Sequence, residues 1–225
     1  VTLTKDRTRP SSRYAREGTA AHTVAELTLK GDIFLPDKVN VEGHEFVVSR
    51  GMCVALNPYI THVEALRAQW GATVVLEKRL VVPGTSGEVW GTLDCGVHAR
   101  GELHVVDLKF GKGHVVDPEG PQLKLYALAL AQFVNEFSTH AKVTLTICQP
   151  RIGGDPLRSY ETTLGELYRW RGNVVRPAIC KIIMGDTTEV AGVHCRWCVR
   201  KTECKAFAQK HQTHAASAFD DGDLF

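Results

Sequence analysis

The chain has 225 residues, of which 44% are hydrophobic and 23% charged, the make-up of a folded protein with one domain, or one domain and a small appendage. A formal charge of +2 says little about partners, so any DNA-binding surface has to be local. No run suits a membrane span, no signal-peptide pattern opens the chain, and seven cysteines, an odd number partly clustered, argue against a secreted disulfide scaffold and for a reducing, cytoplasmic compartment.

Residues 1–12 are polar and are expected to lie extended or disordered. From Arg13 to Leu29 the spacing of Ala15, Thr19, His22, Glu26 and Leu29 predicts a helix, with His22 and Glu26 one turn apart on one side. Taken alone, that pair reads as a helix-surface hydrogen bond. Residues 31–50 carry Pro36 and Gly43 and read as an irregular insertion or a short hairpin. A second helix is expected from Met52 to Trp70, divided at Asn57-Pro58 and ended by Gly71. Ala72 to Val82 then supplies a first strand of a central sheet. Val89–Val97 and Leu103–Leu108, separated by His98-Ala99-Arg100-Gly101, predict a β-hairpin with Asp94 on its first strand and Asp107 near the end of its second.

Beyond the hairpin, Gly111-Lys112-Gly113-His114 is a basic turn. Lys112 and His114 there meet a phosphate backbone or simply close an ordinary turn. Pro118 to Phe137 is the strongest helix, apolar through Leu123, Tyr126, Ala127, Leu130, Phe133, Val134 and Phe137, with Gln122 and Tyr126 one turn apart. Lys142 to Gln149 reads as a strand at the side of the sheet. Arg151 to Tyr160 is turn-rich, and its Arg151 and Arg158 serve as phosphate contacts or as plain loop cations. Thr163 to Met184 predicts a helix with a break at Pro177.

Alternation along a strand turns Asp107 and Lys109 to one face and Leu108 to the core. Two carboxylates from neighbouring strands, Asp94 and Asp107, suit a hard divalent cation, and the Leu108 carbonyl is a third oxygen ligand. An ammonium beside them, Lys109, completes a set that suits phosphodiester hydrolysis. A surface salt bridge between Asp107 and Lys109 is the plain alternative.

The order Gly91-Thr92-Leu93-Asp94, Asp107-Leu108-Lys109-Phe110-Gly111-Lys112-Gly113 and Gln122-Leu123-Lys124-Leu125-Tyr126-Ala127 resembles the PD-(D/E)XK nuclease superfamily, in its RecB-like branch and nearest its phage-type exonuclease-like proteins. The resemblance covers about Glu17 to Cys204. It implies a restriction-endonuclease-like αβββαβ core with a mixed central sheet and extra helices, over residues 1–194. It also implies a Mg2+- or Mn2+-dependent DNA nuclease, an exonuclease acting in phage or bacterial DNA recombination, repair or replication, inside a bacterial cell. The segment Glu17 to His22 resembles the family's first helix motif, which gives His22 the role of a metal ligand and Glu26 that of a further ligand or an orienting group. Gln122 and Tyr126 are implied to contact substrate or hold Lys109. The alternative function is a nucleic-acid-binding or assembly protein that keeps the fold without cleavage.

Near the end, Cys195, Cys198 and Cys204 form a C-x2-C-x5-C set of soft thiolates, better suited to zinc or iron–sulfur iron than to magnesium. They form the centre of a segment, 195–208, expected to pack on the core; scattered buried thiols are the alternative. RecB-like nucleases with a [4Fe-4S] cluster place a fourth cysteine before the first helix. No cysteine precedes Cys53 here, and the first residue is Val1, so that ligand is expected upstream of it or is replaced by Cys180. Residues 209–225 read as a disordered acidic tail, whose Asp223-Leu224-Phe225 resembles peptides that dock on a sliding clamp or recruit partners to single-strand-binding proteins.

Overall fold

The structure is a computed structural model that describes residues 11–32, 34–69, 71–85, 89–196 and 198–220, with the backbone alone for 214–220. The chain divides into two compact units, one spanning Ser11–Asn173 and one that holds Val174 onward. In the first unit, helix α1 (Arg13–Lys30) starts where the Ser12 hydroxyl accepts the Ala15 N–H at 3.1 Å. It stops at Gly31, whose φ of 84° suits a left-handed cap. Strands β1 (Lys38–Val41) and β2 (His44–Val47) pair next as a small hairpin, the second of the two readings of this region. Helix α2 (Arg50–Arg67) then runs through Pro58 without the expected division. Proline leaves the Val54 carbonyl without its donor, but Val54 is 58% exposed, so solvent reaches that side while Met52, Leu56, Tyr59, Val63 and Leu66 keep one buried face.

The central sheet is mixed. Strands β3 (Thr73–Val81), β4 (Trp90–Ala99), β5 (Glu102–Leu108), β6 (Lys142–Cys148) and β7 (Leu157–Thr163) lie in the order β3-β4-β5-β6-β7. Only β5 and β6 are parallel, which requires the crossover that helix α3 (Pro121–Phe133) provides. The protein is therefore α/β, and α2-β3-β4-β5-α3-β6 follows the expected αβββαβ order.

Several local expectations are corrected. Strand β7 occupies part of the stretch read as turns, because Leu157-Arg158-Ser159-Tyr160-Glu161 is an edge strand with little apolar signal. With β7 outside it, β6 is interior rather than at the side, and its Val143, Leu145, Ile147 and Cys148 are buried. Helix α3 ends at Phe133, since Asn135 takes a φ of 57° and Phe137 is left exposed. The hairpin turn shrinks to Arg100-Gly101, with φ of 55° and 75°, as a two-residue turn between twisted strands requires.

One face of the sheet packs Cys95, Val97, Val106 and Leu108 against Ala20, Ala21 and Val24 of α1 and Leu56, Tyr59 and Val63 of α2. The other packs Leu93, Leu103, Val105, Leu145 and Ile147 against Leu123, Ala127 and Leu130 of α3 and against Leu164 and Leu167 of helix α4 (Leu164–Trp170). On β3, Leu76 belongs to the first layer and Leu80 to the second; on β4, Leu93 belongs to the second and Cys95 to the first. Strict alternation would put each of those pairs on a single face, so both strands change phase in between. The residues at the change are Glu77 and Asp94, which face each other between the rungs Leu76–Cys95 and Lys78–Leu93. Glu77 has a φ of 42°, a conformation that costs a side-chain-bearing residue roughly 1–3 kcal/mol.

Helix α4 begins at a Thr163–Glu166 capping box. The expected break near Pro177 comes earlier, as a π-helical turn over Arg171–Val175. Pro177 sits in the first turn of α5 (Arg176–Ile183), which continues directly from that π-helical turn. In the second unit, Cys195 lies in a 3-10 turn, Val193–Arg196, and helix α6 spans Lys205–Asp220. Residues 209–220, expected to be disordered, are thus helical, in keeping with Ala215, Ala216 and Ala218 in their sequence. Asp221 to Phe225, with the clamp-like tip, lie outside the described residues, as does Trp197 of the cysteine motif. Among the described residues, no helix is long and apolar enough to cross a membrane.

Candidate metal centre

The phase change gathers charge at one point of the first unit. His22 on α1, Glu77 on β3 and Asp94 on β4 offer ligand atoms that all lie within 4.8 Å of one another, the spread that ligands of a single ion can have. Small residues beside His22, notably Ala20, Ala21 and Ala25, are buried and let α1 sit close to the sheet. The His22 Nδ1 lies 3.2 Å from Glu77 Oε1 and 3.5 Å from Asp94 Oδ1. Its Nε2 lies 3.0 Å from the Leu108 carbonyl oxygen. Burial disfavours charge on this imidazole, but the Glu77 hydrogen bond and the charges of Asp94, Glu77 and Asp107 outweigh it and raise its pKa.

Asp94 is aimed rather than loose. Its Oδ2 accepts the Leu108 N–H at 2.7 Å, which leaves Oδ1 toward His22. Burial raises the Asp94 pKa, with Asp107 adding to the rise and His22 and the Leu108 N–H opposing it. Asp107 is only 2% exposed. Lys109 Nζ pairs with its Oδ2 at 2.6 Å, while Oδ1 is buried with no hydrogen bond among the described residues. Burial accordingly raises the Asp107 pKa against the pull of Lys109. A buried carboxylate left this way is costly unless a cation completes it.

Lys109 Nζ is 3.5 Å from Gln122 Oε1, and Gln122 Nε2 donates to the Tyr126 hydroxyl at 3.1 Å. Helix α3 thereby presents a short chain of polar groups to the ammonium. Tyr126 fits because position 91 is glycine: a Cβ there would stand 2.6 Å from Tyr126 Cε1.

The sequence reading therefore meets the structure in part. His22, Asp94, the Leu108 carbonyl, Lys109, Gln122 and Tyr126 come together, and Asp107 stands beside the tight trio rather than in it. Glu26 does not join; it is held by Lys30 at 2.7 Å, one turn along the exposed side of α1. Glu77 is the carboxylate that sequence reasoning missed. Its signal was a charged interruption, Glu77-Lys78-Arg79, within an otherwise apolar strand. Lys112 is exposed in the turn after β5. The His114 carbonyl accepts from Gln149 Nε2 at 3.1 Å, and Gln149 Oε1 accepts the Val116 N–H at 2.9 Å. Gln149, only 2% exposed, so fixes the loop that carries Lys112. Arg158 is used here as well: its guanidinium bonds Gln149 Oε1 and lies 3.4 Å from the Val116 carbonyl. Arg151 pairs with Glu17 at 2.8 Å.

The imidazole, the carboxylates and the buried Asp107 Oδ1, which has no hydrogen bond among the described residues, fit a divalent ion. The donors are mostly hard oxygens with one nitrogen.

In the second unit, Cys195 is buried and its sulfur accepts the Gly192 N–H at 3.3 Å. The Cys204 sulfur accepts the Phe207 N–H at 3.4 Å and lies 3.4 Å from Glu189 Oε2. Cys180 is exposed on α5. Among the described residues no three sulfurs gather as closely as the ligand atoms of His22, Glu77 and Asp94, so these thiols do not stand ready around one tetrahedral zinc ion.

A solved structure described as "Crystal structure of SSO0001" is similar over 70% of this chain and 72% of its own, at 16% identity and a TM-score of 0.31. Residues 1–225 match the family described as "Protein of unknown function (DUF2800)", and the chain belongs to that family.

Proposed function

We propose that the protein is a divalent-metal-dependent DNA nuclease of the PD-(D/E)XK, RecB-like kind, and that it acts as an exonuclease. The observation that carries the reading is the convergence of three buried or half-buried carboxylates, His22 and Lys109 at one distorted rung of the sheet. His22, Glu77, Asp94, Asp107 and the Leu108 carbonyl would hold Mg2+ or Mn2+. When bound, the ion supplies Lewis-acid polarisation of the scissile phosphate and a more acidic water.

The remaining work falls to side chains of this chain. Asp94 is locked by the Leu108 amide, so its free oxygen keeps one direction through the reaction. Lys109 carries positive charge beside Asp107 and donates to a phosphate oxygen or orients the attacking water. Gln122 limits where that ammonium can swing, and Tyr126 limits Gln122. Lys112 reaches the backbone of DNA from its exposed turn. An inactive descendant would be expected to lack one of these groups, and none is lacking.

Incubation of the protein with linear and circular DNA, single- and double-stranded, in Mn2+, Mg2+ or EDTA tests the proposal. Ion-dependent loss of linear DNA with circular DNA spared is the expected result. No cleavage of any substrate in either ion would sink it; cleavage of circles would replace exonuclease by endonuclease.

Two variants probe the parts. Glu77→Gln keeps the shape but loses the charge, and Mn2+ affinity by calorimetry should fall by about tenfold or more. Unchanged affinity would remove Glu77 from the ligand set. Gly91→Ala forces Tyr126 aside, at a cost on the order of 1–3 kcal/mol; cleavage should slow while Mn2+ affinity stays. An equal loss of both would show that the glycine supports the whole centre instead.

The cysteines carry a separate part of the proposal, a structural [4Fe-4S] cluster on Cys195, Cys198 and Cys204. Its support is the ligand spacing and the backbone amides aimed at the Cys195 and Cys204 sulfurs. Iron and sulfide analysis after anaerobic purification tests it; zinc without sulfide, or no metal, would overturn it.

A further inference from the structure

A cleft of about 760 Å3 opens in the first unit between the start of α1, the β1–β2 hairpin, the start of α2, and Phe110. Its walls combine the rings of Tyr14, His44 and Phe46 with the guanidinium groups of Arg13, Arg16 and Arg151. Tyr14 is 79% exposed, a large ring offered to solvent at the start of α1. Two carboxylates also line the cleft, but both are paired: Glu17 with Arg151 at 2.8 Å and Glu45 with Lys38 at 2.7 Å. Arg13 makes no side-chain bond or ion pair among the described residues. Arg16 donates to the Ser11 carbonyl and stands 4.0 Å from Glu42, yet its Nε is buried with no acceptor. The cleft thus holds the Arg13 guanidinium and the less fully engaged Arg16 beside the exposed ring of Tyr14 and the half-buried ring of Phe46.

We propose that this cleft receives an unpaired nucleotide of single-stranded DNA on its way to the metal centre, the base against Tyr14 and Phe46 and the phosphate against Arg13 and Arg16. The assignment rests on the nuclease reading for the direction of the strand. A stacking platform with neighbouring cations binds single strands because unpaired bases have free faces, whereas in a duplex each face is covered by the next base pair.

The path to the centre is short. Arg151 lies over the Phe110 ring at 4.6 Å, and Phe110 follows Lys109 directly. The same Arg151 holds Glu17, five residues before His22 on α1. Five helical residues span about 7.5 Å, the length of roughly two stacked nucleotides at ~3.4 Å each. A base held at the cleft therefore places a phosphodiester near Lys109.

The test uses the full chain in EDTA, with fluorescence anisotropy of labelled oligo-dT, a blunt duplex of equal length, and oligo-U. Oligo-dT should bind at least about tenfold more tightly than the blunt duplex. Tyr14→Ala and Arg13→Ala should each weaken oligo-dT binding by about five- to hundredfold, with melting temperature and Mn2+ affinity unchanged. Turnover of the 5′-p-nitrophenyl ester of thymidine monophosphate, too short to occupy both places, should also be unchanged in these variants. Wild-type affinity in both variants, equal binding of blunt duplex, or tighter binding of oligo-U than oligo-dT overturns the proposal. Failure of the nuclease reading looks different: oligo-dT binds and Tyr14→Ala weakens it, yet Mn2+ produces no cleavage.

Discussion

Lys109→Ala is expected to fold and bind Mn2+ as the unaltered protein does, and to lose DNA cleavage by about 10²- to 10⁴-fold. The side chain lies at the edge of the centre, and its Nζ is shared between Asp107 at 2.6 Å and Gln122 at 3.5 Å, so its removal opens no core cavity. On the proposed function, what it removes is the positive charge that would meet the phosphate and steady the attacking water. Arginine should not restore the rate, because a planar fork cannot occupy the place of a compact ammonium between Asp107 and Gln122. Single-turnover cleavage of end-labelled DNA, alongside Mn2+ calorimetry, reads both halves of the expectation. More than half of the original rate in Lys109→Ala would move the role to another residue.

Asp94→Asn should separate stability from activity. In the ion-free protein Asp94 is buried among Glu77 and Asp107, and its pKa is raised chiefly by that burial. The sign follows: a carboxyl with a raised native pKa opposes folding more as pH climbs from its ordinary range through the native value, and the opposition is complete above it. Asparagine can keep the acceptor for the Leu108 N–H while the charge disappears. Above neutral pH and in EDTA, the variant should therefore melt higher, by about 2–6 °C for roughly 1–2 kcal/mol in a chain of this size. With Mn2+ the order should invert, since the unaltered protein gains ion-linked stability that the variant has lost. Cleavage should be undetectable. A variant that melts lower than the parent in EDTA would show that Asp94 is held for structure rather than for a cation.

How much of this was legible before the fold was known depends on where the signal resides. The β4–β5 hairpin is written locally, in Val105-Val106 and in the turn at Arg100-Gly101, and it carries Asp94 and Asp107. The α3 helix is equally plain from Leu123, Ala127 and Leu130. Strand β7 has almost no local signal: Arg158, Ser159 and Glu161 become a strand only because β6 offers an unpaired edge. Pro58 looked like a break because a local rule ignores which side of α2 faces solvent.

The centre shows the same division. Asp94, Asp107 and Lys109 follow from strand alternation, but Glu77 depends on a backbone turned left-handed at one residue and on a register shared with β4. Neither is encoded by a residue type. Glu26 was attractive because it lies one turn from His22; in the fold that turn carries it to Lys30, away from the sheet.

The most direct test of the central claim is anomalous scattering from a crystal grown with Mn2+. The expected result is a manganese peak bound by His22, Glu77, Asp94, Asp107 and the Leu108 carbonyl, with Lys109 Nζ outside the ligand shell, at oxygen distances of about 2.0–2.4 Å. A crystal saturated with Mn2+ that shows no peak between these residues, with Asp107 still bound only to Lys109, would contradict it.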